Sequence, residues 1–236
     1  MPASTMMVSR LDRPLIAPSI LSADFMRLGD ECAAVITGGA DLLHLDVMDG
    51  HFVPNLTMGP ALCRSLRESL PEVVLDVHLM VTDPGEMIRP FADAGADHLT
   101  FHLEANHGDG GDPRSLADRI RAAGMTVGLA INPPTADEEV LSLVEHFDMI
   151  LVMSVNPGFS GQSFIPGVLD KVRHIRALQA ETQRLEMDGG IKPENAESCR
   201  EAGCDILVAA SAIFGSDDYA SSIQAIRGAC REAVEG

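Results

Sequence analysis

His44, Asp46 and Met48 alternate with Leu43, Leu45 and Val47 in the stretch LLHLDVMDGHFVPNLTMGP, residues 42–60. In an extended strand the side chains at i, i+2 and i+4 share a face, so the histidine, aspartate and methionine point one way and the aliphatics the other. Two residues of strand span about 6.6 Å, which lets His44 and Asp46 approach one ion from the same side. VVLDVHLMV, residues 73–81, repeats the arrangement with Asp76, His78 and Met80 on one parity. RLEMDGGI, residues 184–191, ends on Asp188 and two glycines. Taken together, His44, Asp46, His78 and Asp188 make a mixed nitrogen and oxygen donor set, suited to one divalent cation such as Zn, Fe, Mn or Co.

A lone buried histidine is ordinarily a hydrogen-bonded core residue, and a lone aspartate at a strand end ordinarily caps the next helix. Four such groups converging without an ion would cost several kcal/mol, and that favours metal for the set. His98 and His102, on a fourth run, read as hydrogen-bonded core residues; His51, His107, His146 and His174 read as surface residues. A second constellation lies in NPGFSG (156–161), DGGI (188–191) and AASAIFG (209–215). Small residues there would let backbone N–H groups approach an anion. Any one of these loops could be only a tight turn, but three together favour phosphate, with Ser211 as a candidate N-cap.

The elements that must position these groups recur eight times. Apolar or β-branched runs begin near Leu15, Leu42, Val73, Asp97, Thr126, Asp148, Arg184 and Asp205. Between them lie helix-period segments: Asp83-Pro84 and Asp112-Pro113 open two, and Thr135 with Glu138 has capping-box spacing. Gly38-Gly39, Gly95, Gly124 and Gly203 close helices. One apolar face is expected from Phe25, Leu28, Cys32, Val35 and Ile36, another from Leu169, Val172, Ile175 and Leu178, and a last from Tyr219, Ile223, Ile226 and Cys230. Eight βα units without a dividing linker predict a single (β/α)8 barrel over residues 15–236, with an open doubly wound sheet as the alternative. In such barrels chemistry sits on the loops after the C-terminal ends of the strands.

A chain of 236 residues, 46% apolar, can bury one large core. No apolar run approaches the roughly 18 residues of a membrane span. Residues 1–14 lack a continuous apolar stretch and read as a loose extension, so a cytoplasmic protein is expected. Five cysteines without any C-x-x-C fit buried free thiols. A net charge of −18 opposes nucleic-acid and acidic-membrane partners. It also repels a phosphorylated substrate at long range, although salt screens that field over about 8 Å and a local anion site can win.

The segments APSILSADF, LHLDVMDGHFVPNLTMGP, DVHLMV, MSVNPGFSGQSFIP, MDGGI and VAASAIF resemble, in order and from about Leu15 to Phe214, the ribulose-phosphate 3-epimerase family. The resemblance implies a TIM barrel of the phosphate-binding type that interconverts ribulose 5-phosphate and xylulose 5-phosphate in the pentose phosphate pathway. It implies one divalent metal on His44, Asp46, His78 and Asp188, with Asp46 and Asp188 as acid and base. Ser19 and His78 would contact substrate, and Met48, Met80 and Met153 would cap the intermediate. Phosphate would fall to Gly158, Phe159, Ser160, Gly161, Gly189, Gly190, Ala210 and Ser211. Ser160 and Ala210 stand where the family usually has glycine, and a Cβ there could push the phosphate outward. The expected partner is a small phosphorylated ketose, and a homo-oligomer is expected.

The chemistry accounts for these residue types independently. Inverting a carbon beside a ketone requires removing its proton, holding an enediolate and returning a proton to the other face, for which one carboxylate per face is the minimum. Alternatives are an epimerase for a hexulose 6-phosphate such as allulose 6-phosphate, and a non-catalytic phosphate-binding barrel. The latter gains nothing from two ionisable groups in its pocket. A related decarboxylase or aldolase would want a lysine near LDVMDGHF, which has none.

Overall fold

The computed structural model describes residues 6–7, 13–106 and 111–228. It contains eight parallel strands: β1 (Leu15–Pro18), β2 (Leu42–Met48), β3 (Val74–Met80), β4 (His98–His102), β5 (Thr126–Ile131), β6 (Met149–Met153), β7 (Arg184–Asp188) and β8 (Ile206–Ala209). Hydrogen bonding runs in the order β1-β8-β7-β6-β5-β4-β3-β2. The ring is completed between β1 and β2, where the Asp41 N–H donates to the Ile16 carbonyl at 3.0 Å and Ser19 pairs with His44 in a parallel bridge. The sheet is therefore a barrel, and every strand starts within one residue of its expected position.

Parity sorts the side chains. Outward residues such as Leu43, Leu45, Val77, Leu99, Ile150 and Leu185 join the helices in one large core. Inward residues at the lower end, Leu15, Ala17, Leu42, Val74, Met149, Ile206 and Val208, form a second cluster that Met7 completes. Met6 and Met7 thus depart from the loose extension expected for residues 1–14: Met7 is fully buried, and the Met6 carbonyl accepts two bonds from the Arg184 guanidinium. An apolar plug over the barrel mouth is worth burying, and a buried arginine needs an acceptor. Above this layer the interior turns polar, with His44, Asp76, His98, Thr100 and Glu186 all fully buried.

The helices follow their punctuation with some exceptions. Asp112 caps Pro113–Ala122 by accepting the Arg114 N–H. Asp83-Pro84 opens a 3₁₀ turn, Pro84–Glu86, ahead of the helix Ile88–Ala94. No capping box forms at Thr135 and Glu138, because the helix is only Glu138–Leu141 and the Thr135 hydroxyl is drawn to Glu104 instead. Phe25 precedes the helix Leu28–Thr37 and is 53% exposed; Leu178 lies past Val168–Arg176 and is 57% exposed, with Val168 filling the apolar face. Ile223 and Ile226 are buried as expected, whereas Cys230 and His107 lie outside the described residues. Cys32, Cys63, Cys199 and Cys204 are buried free thiols, and burial pushes Cys32 and Cys199 up to about 12. Among the described residues no helix is long and apolar enough to cross a membrane.

Candidate active site

Strand register brings the donor set together. β2 and β3 place His44 beside Asp76, Asp46 beside His78 and Met48 beside Met80, while β6 and β7 place Met153 beside Asp188. One ligand atom from each of His44, Asp46, His78 and Asp188 lies within 4.8 Å of the others. His78 Nδ1 is 3.2 Å from Asp46 Oδ1 and 3.7 Å from Asp188 Oδ2. His44 Nε2 makes no hydrogen bond although it is buried, and Asp46 Oδ1 lies 3.4 Å from it. A buried nitrogen facing two carboxylates and a second imidazole matches the donor chemistry of a divalent-cation site, so these residues fit such a cation.

A layer of supporting groups was not assigned from the sequence. His44 Nδ1 is 2.7 Å from Asp76 Oδ2, which leaves Nε2 as the donor atom. Glu186 Oε1 lies 3.7 Å from His44 Nδ1 as well. Both carboxylates lie two residues before an assigned ligand, Asp76 before His78 and Glu186 before Asp188, so strand parity was the available signal. His98 is the core residue expected, bonded to the Thr126 and Thr100 hydroxyls at 2.7 and 3.1 Å. His102 is also buried and hydrogen-bonded, but its Nε2 meets His78 Nε2 at 2.8 Å. His51 and His174 are exposed, and His146 is half-buried.

Burial and charge pull the site's groups apart. Burial alone would raise Asp46, but His44 outweighs it and holds that carboxyl well below the usual range. Burial raises Asp188 to about 7, with the Asp46 charge adding to it. Burial and Asp76 likewise push Glu186 well above the usual carboxyl range. His44 is raised despite burial, because Asp76 and Asp46 flank it, whereas burial lowers His78. Asp49, the other acid of the opening motif, is structural: its carboxylate accepts the N–H groups of His51, Phe52 and Thr82, each at 2.8 Å, which outweigh burial and hold it down to about 2.

Above the donors opens a cleft of about 580 Å³ lined by Ser19, Asp46, Asp188 and the methionines Met48, Met80 and Met153. The remaining wall is Gly158, Phe159, Ser160, Gly161, Gly189, Gly190, Ala210 and Ser211, so the three small-residue loops do converge. Ser154, just past β6, holds the 188–191 loop: its Oγ is within donating distance of the carbonyls of Asp188 at 2.9 Å and Gly189 at 2.6 Å. C=O and N–H of a trans peptide point in opposite directions, so these bonds turn the Gly189 and Gly190 N–H groups away from Ser154. Gly189 and Gly190 have φ of 121° and 62°, and a Cβ on either would sit 2.6 to 2.7 Å from Val155 or the Phe164 backbone. Asn55 and Gln162 hold the Asn156–Gly161 turn through the Gly158, Asn156 and Phe159 carbonyls. Neither Ser160 nor Ala210 has positive φ, so each keeps its backbone conformation without glycine. Ser211 is the first residue of the helix Ser211–Phe214, not its cap; Ala210 holds that position and contributes no side-chain bond. Ser19 Oγ donates to Asp46 Oδ2.

Comparison with known proteins identifies the family. The sequence profile of the Ribulose-phosphate 3 epimerase family matches residues 15–214. Ribulose-phosphate 3-epimerase of Mycobacterium bovis is 50% identical over 217 residues, covering 91% of this chain and 92% of that protein. The Serratia marcescens enzyme of the same name is 48% identical over 209 residues, covering 87% and 97%. Among solved structures, 3-keto-L-gulonate-6-phosphate decarboxylase from Vibrio cholerae aligns with TM-score 0.67 at 16% identity over 91% of this chain and 96% of that one. The 3-hexulose-6-phosphate synthase from Salmonella typhimurium gives 0.65 at 17% identity, over 91% and 96%. At that identity the structural likeness establishes the barrel alone, whereas the sequence matches establish descent: this chain is an enzyme of the ribulose-phosphate 3-epimerase family.

Proposed function

We propose that this enzyme inverts C3 of a ketose 5-phosphate, interconverting D-ribulose 5-phosphate and D-xylulose 5-phosphate through an enediolate, with Asp46 and Asp188 as the two acid/base groups. The observation that carries this reading is the pair of carboxyls, Asp46 and Asp188, that line one cleft and lie 3.2 and 3.7 Å from the same His78 nitrogen. Inversion needs one proton-transfer group on each face of the carbon, and two carboxyls in one cleft can supply them. Ser19 orients the Asp46 carboxylate by donating to Oδ2, leaving Oδ1 toward the histidines. A divalent cation on His44, Asp46, His78 and Asp188 would supply Lewis-acid stabilisation of the charge that develops on the substrate oxygens.

Met48, Met80 and Met153 present polarizable surface without a proton donor, which excludes water from the reacting carbon and offers the enediolate no stray proton. The backbone of 158–161, 189–190 and 210–211 binds the phosphate, far enough from C3 that its binding energy orients the reacting carbon. The test is an epimerisation assay on ribulose 5-phosphate, allulose 6-phosphate and unphosphorylated ribulose in parallel. Ribulose 5-phosphate should turn over fastest, and ribulose should show depressed kcat as well as weak binding. Equal kcat/KM for ribulose and its phosphate removes the anion site, and preference for allulose 6-phosphate reassigns the substrate.

A further inference from the structure

Glu104 lies two residues past the end of β4, outside the donor set, with a side chain 25% exposed. Its carboxylate is nevertheless committed at both oxygens. Oε1 accepts the Asn132 N–H at 2.8 Å and the Thr135 hydroxyl. The loop carrying those donors is pinned by Lys171 Nζ, which donates to the carbonyls of Pro133 at 2.9 Å, Asn132 at 3.3 Å and Thr135. Oε2 faces His102 Nδ1 at 3.2 Å.

Hydrogen-bond polarity then propagates inward. A carboxylate only accepts, so His102 Nδ1 carries the proton; a neutral imidazole has one N–H, so His102 Nε2 is the acceptor. At 2.8 Å from His78 Nε2, that acceptor requires a proton on His78 Nε2. The lone pair of His78 is thereby left on Nδ1, the nitrogen that faces Asp46 and Asp188. We propose that Glu104, acting through His102, fixes His78 in the Nε2–H tautomer and so keeps a lone pair aimed at the cation. This rests on His78 being a metal ligand. Glu104 and His102 are positioning residues: neither belongs to the donor set, and the polarity of two hydrogen bonds links Glu104 to a ligand atom.

Glu104→Gln tests the inference because it keeps the shape and reverses the polarity. The Asn132 N–H can only donate, so the amide oxygen takes the Oε1 place and the NH₂ faces His102 Nδ1. His102 must then carry its proton on Nε2, and His78 must accept there and turn an Nδ1–H toward the cation site. Long-range ¹H–¹⁵N correlation on the metal-free protein, with ¹⁵N-labelled histidine, reads this directly: His78 should be protonated at Nε2 in the wild type and at Nδ1 in Glu104→Gln. Chelator-competition titration with Zn²⁺ should show affinity reduced roughly 10- to 100-fold in that variant.

His102→Gln supplies an amide oxygen that accepts from His78 Nε2 whatever residue occupies position 104. His102→Gln with and without Glu104→Gln should therefore bind Zn²⁺ alike, within about threefold. A role for Glu104 in packing alone predicts instead the same loss in both backgrounds. Wild-type protein with His78 protonated at Nδ1, or Glu104→Gln with unchanged tautomer and affinity, overturns the proposal. Absence of Zn²⁺ binding by the wild type would refute the donor set, while the tautomer measurement would still decide whether Glu104 controls His78.

Discussion

Aspartates stand at both ends of the barrel in opposite company. At the lower end Asp41, Asp97, Asp148 and Asp205 each immediately precede an even-numbered strand and accept a backbone N–H from the odd-numbered strand alongside: Ile16, Leu75, Val127 and Leu185, at 2.8 to 2.9 Å. Arginines neutralise all four, with Arg13 and Arg227 on Asp41, Arg67 on Asp97, Arg121 on Asp148 and Arg176 on Asp205. At the upper end Asp46 and Asp188 face histidines and each other. The same side chain fixes strand register where a guanidinium and an amide complete its bonds. Where carboxylates are crowded together and buried, it leaves a charge excess that a cation or a proton must balance.

Substitutions at the two ends should therefore separate activity from stability. Asp46→Asn or Asp188→Asn is expected to lower kcat by about 10²- to 10⁴-fold, from loss of a general acid or base, with a folded protein by circular dichroism. Asp76→Asn should act one step back, weakening metal affinity by roughly 10- to 100-fold, since the carboxylate that orients His44 Nδ1 is lost. An upper-end variant that unfolds while retaining specific activity would erase the distinction.

Proton competition is the next effect in size. Metal-free Asp188 keeps its proton up to about 7, and ligation requires the carboxylate. Apparent metal affinity should therefore rise with pH below 7, about tenfold per unit for this one proton. The same raised pKa means that the metal-free folded state binds more protons than the unfolded chain between about 4 and 7. Its stability should fall as pH rises through that window, and added cation should restore it. Affinity that is flat from pH 5 to 8 would contradict the burial of Asp188.

The smallest change belongs to the lower end. Asp97→Ala leaves the Leu75 N–H and Arg67 without their acceptor at a site whose side chains are 23% exposed, so it should cost about 1–3 kcal/mol in a denaturant titration. Specific activity of the folded fraction should be unchanged. A fall in kcat without loss of stability would mean that the two ends are coupled.

The donor set was legible because period-2 alternation exposes a histidine or carboxylate against an aliphatic background, and because Asp188 ends its strand beside two glycines. The barrel was legible from eight recurrences of the same unit. What escaped depends on register between neighbouring strands, which no single run records. His102 looks like any core histidine until β3 and β4 are aligned and its ring meets His78. Asp76 and Glu186 shared the right parity but lie deeper in the barrel than the His/Asp cluster they adjoin. Helix ends failed where tertiary contacts intervened, as at Thr135, whose hydroxyl serves Glu104 in place of the helix that follows.

The two-carboxylate account is tested most directly by following deuterium at C3 in deuterated water, with metal content measured on each variant first. If Asp46 and Asp188 serve opposite faces, metal-replete Asp46→Asn and Asp188→Asn should both lose epimerisation, while each keeps slow label exchange with a different epimer. A metal-replete single variant that still interconverts the epimers near the wild-type rate would contradict the account and assign both faces to one group.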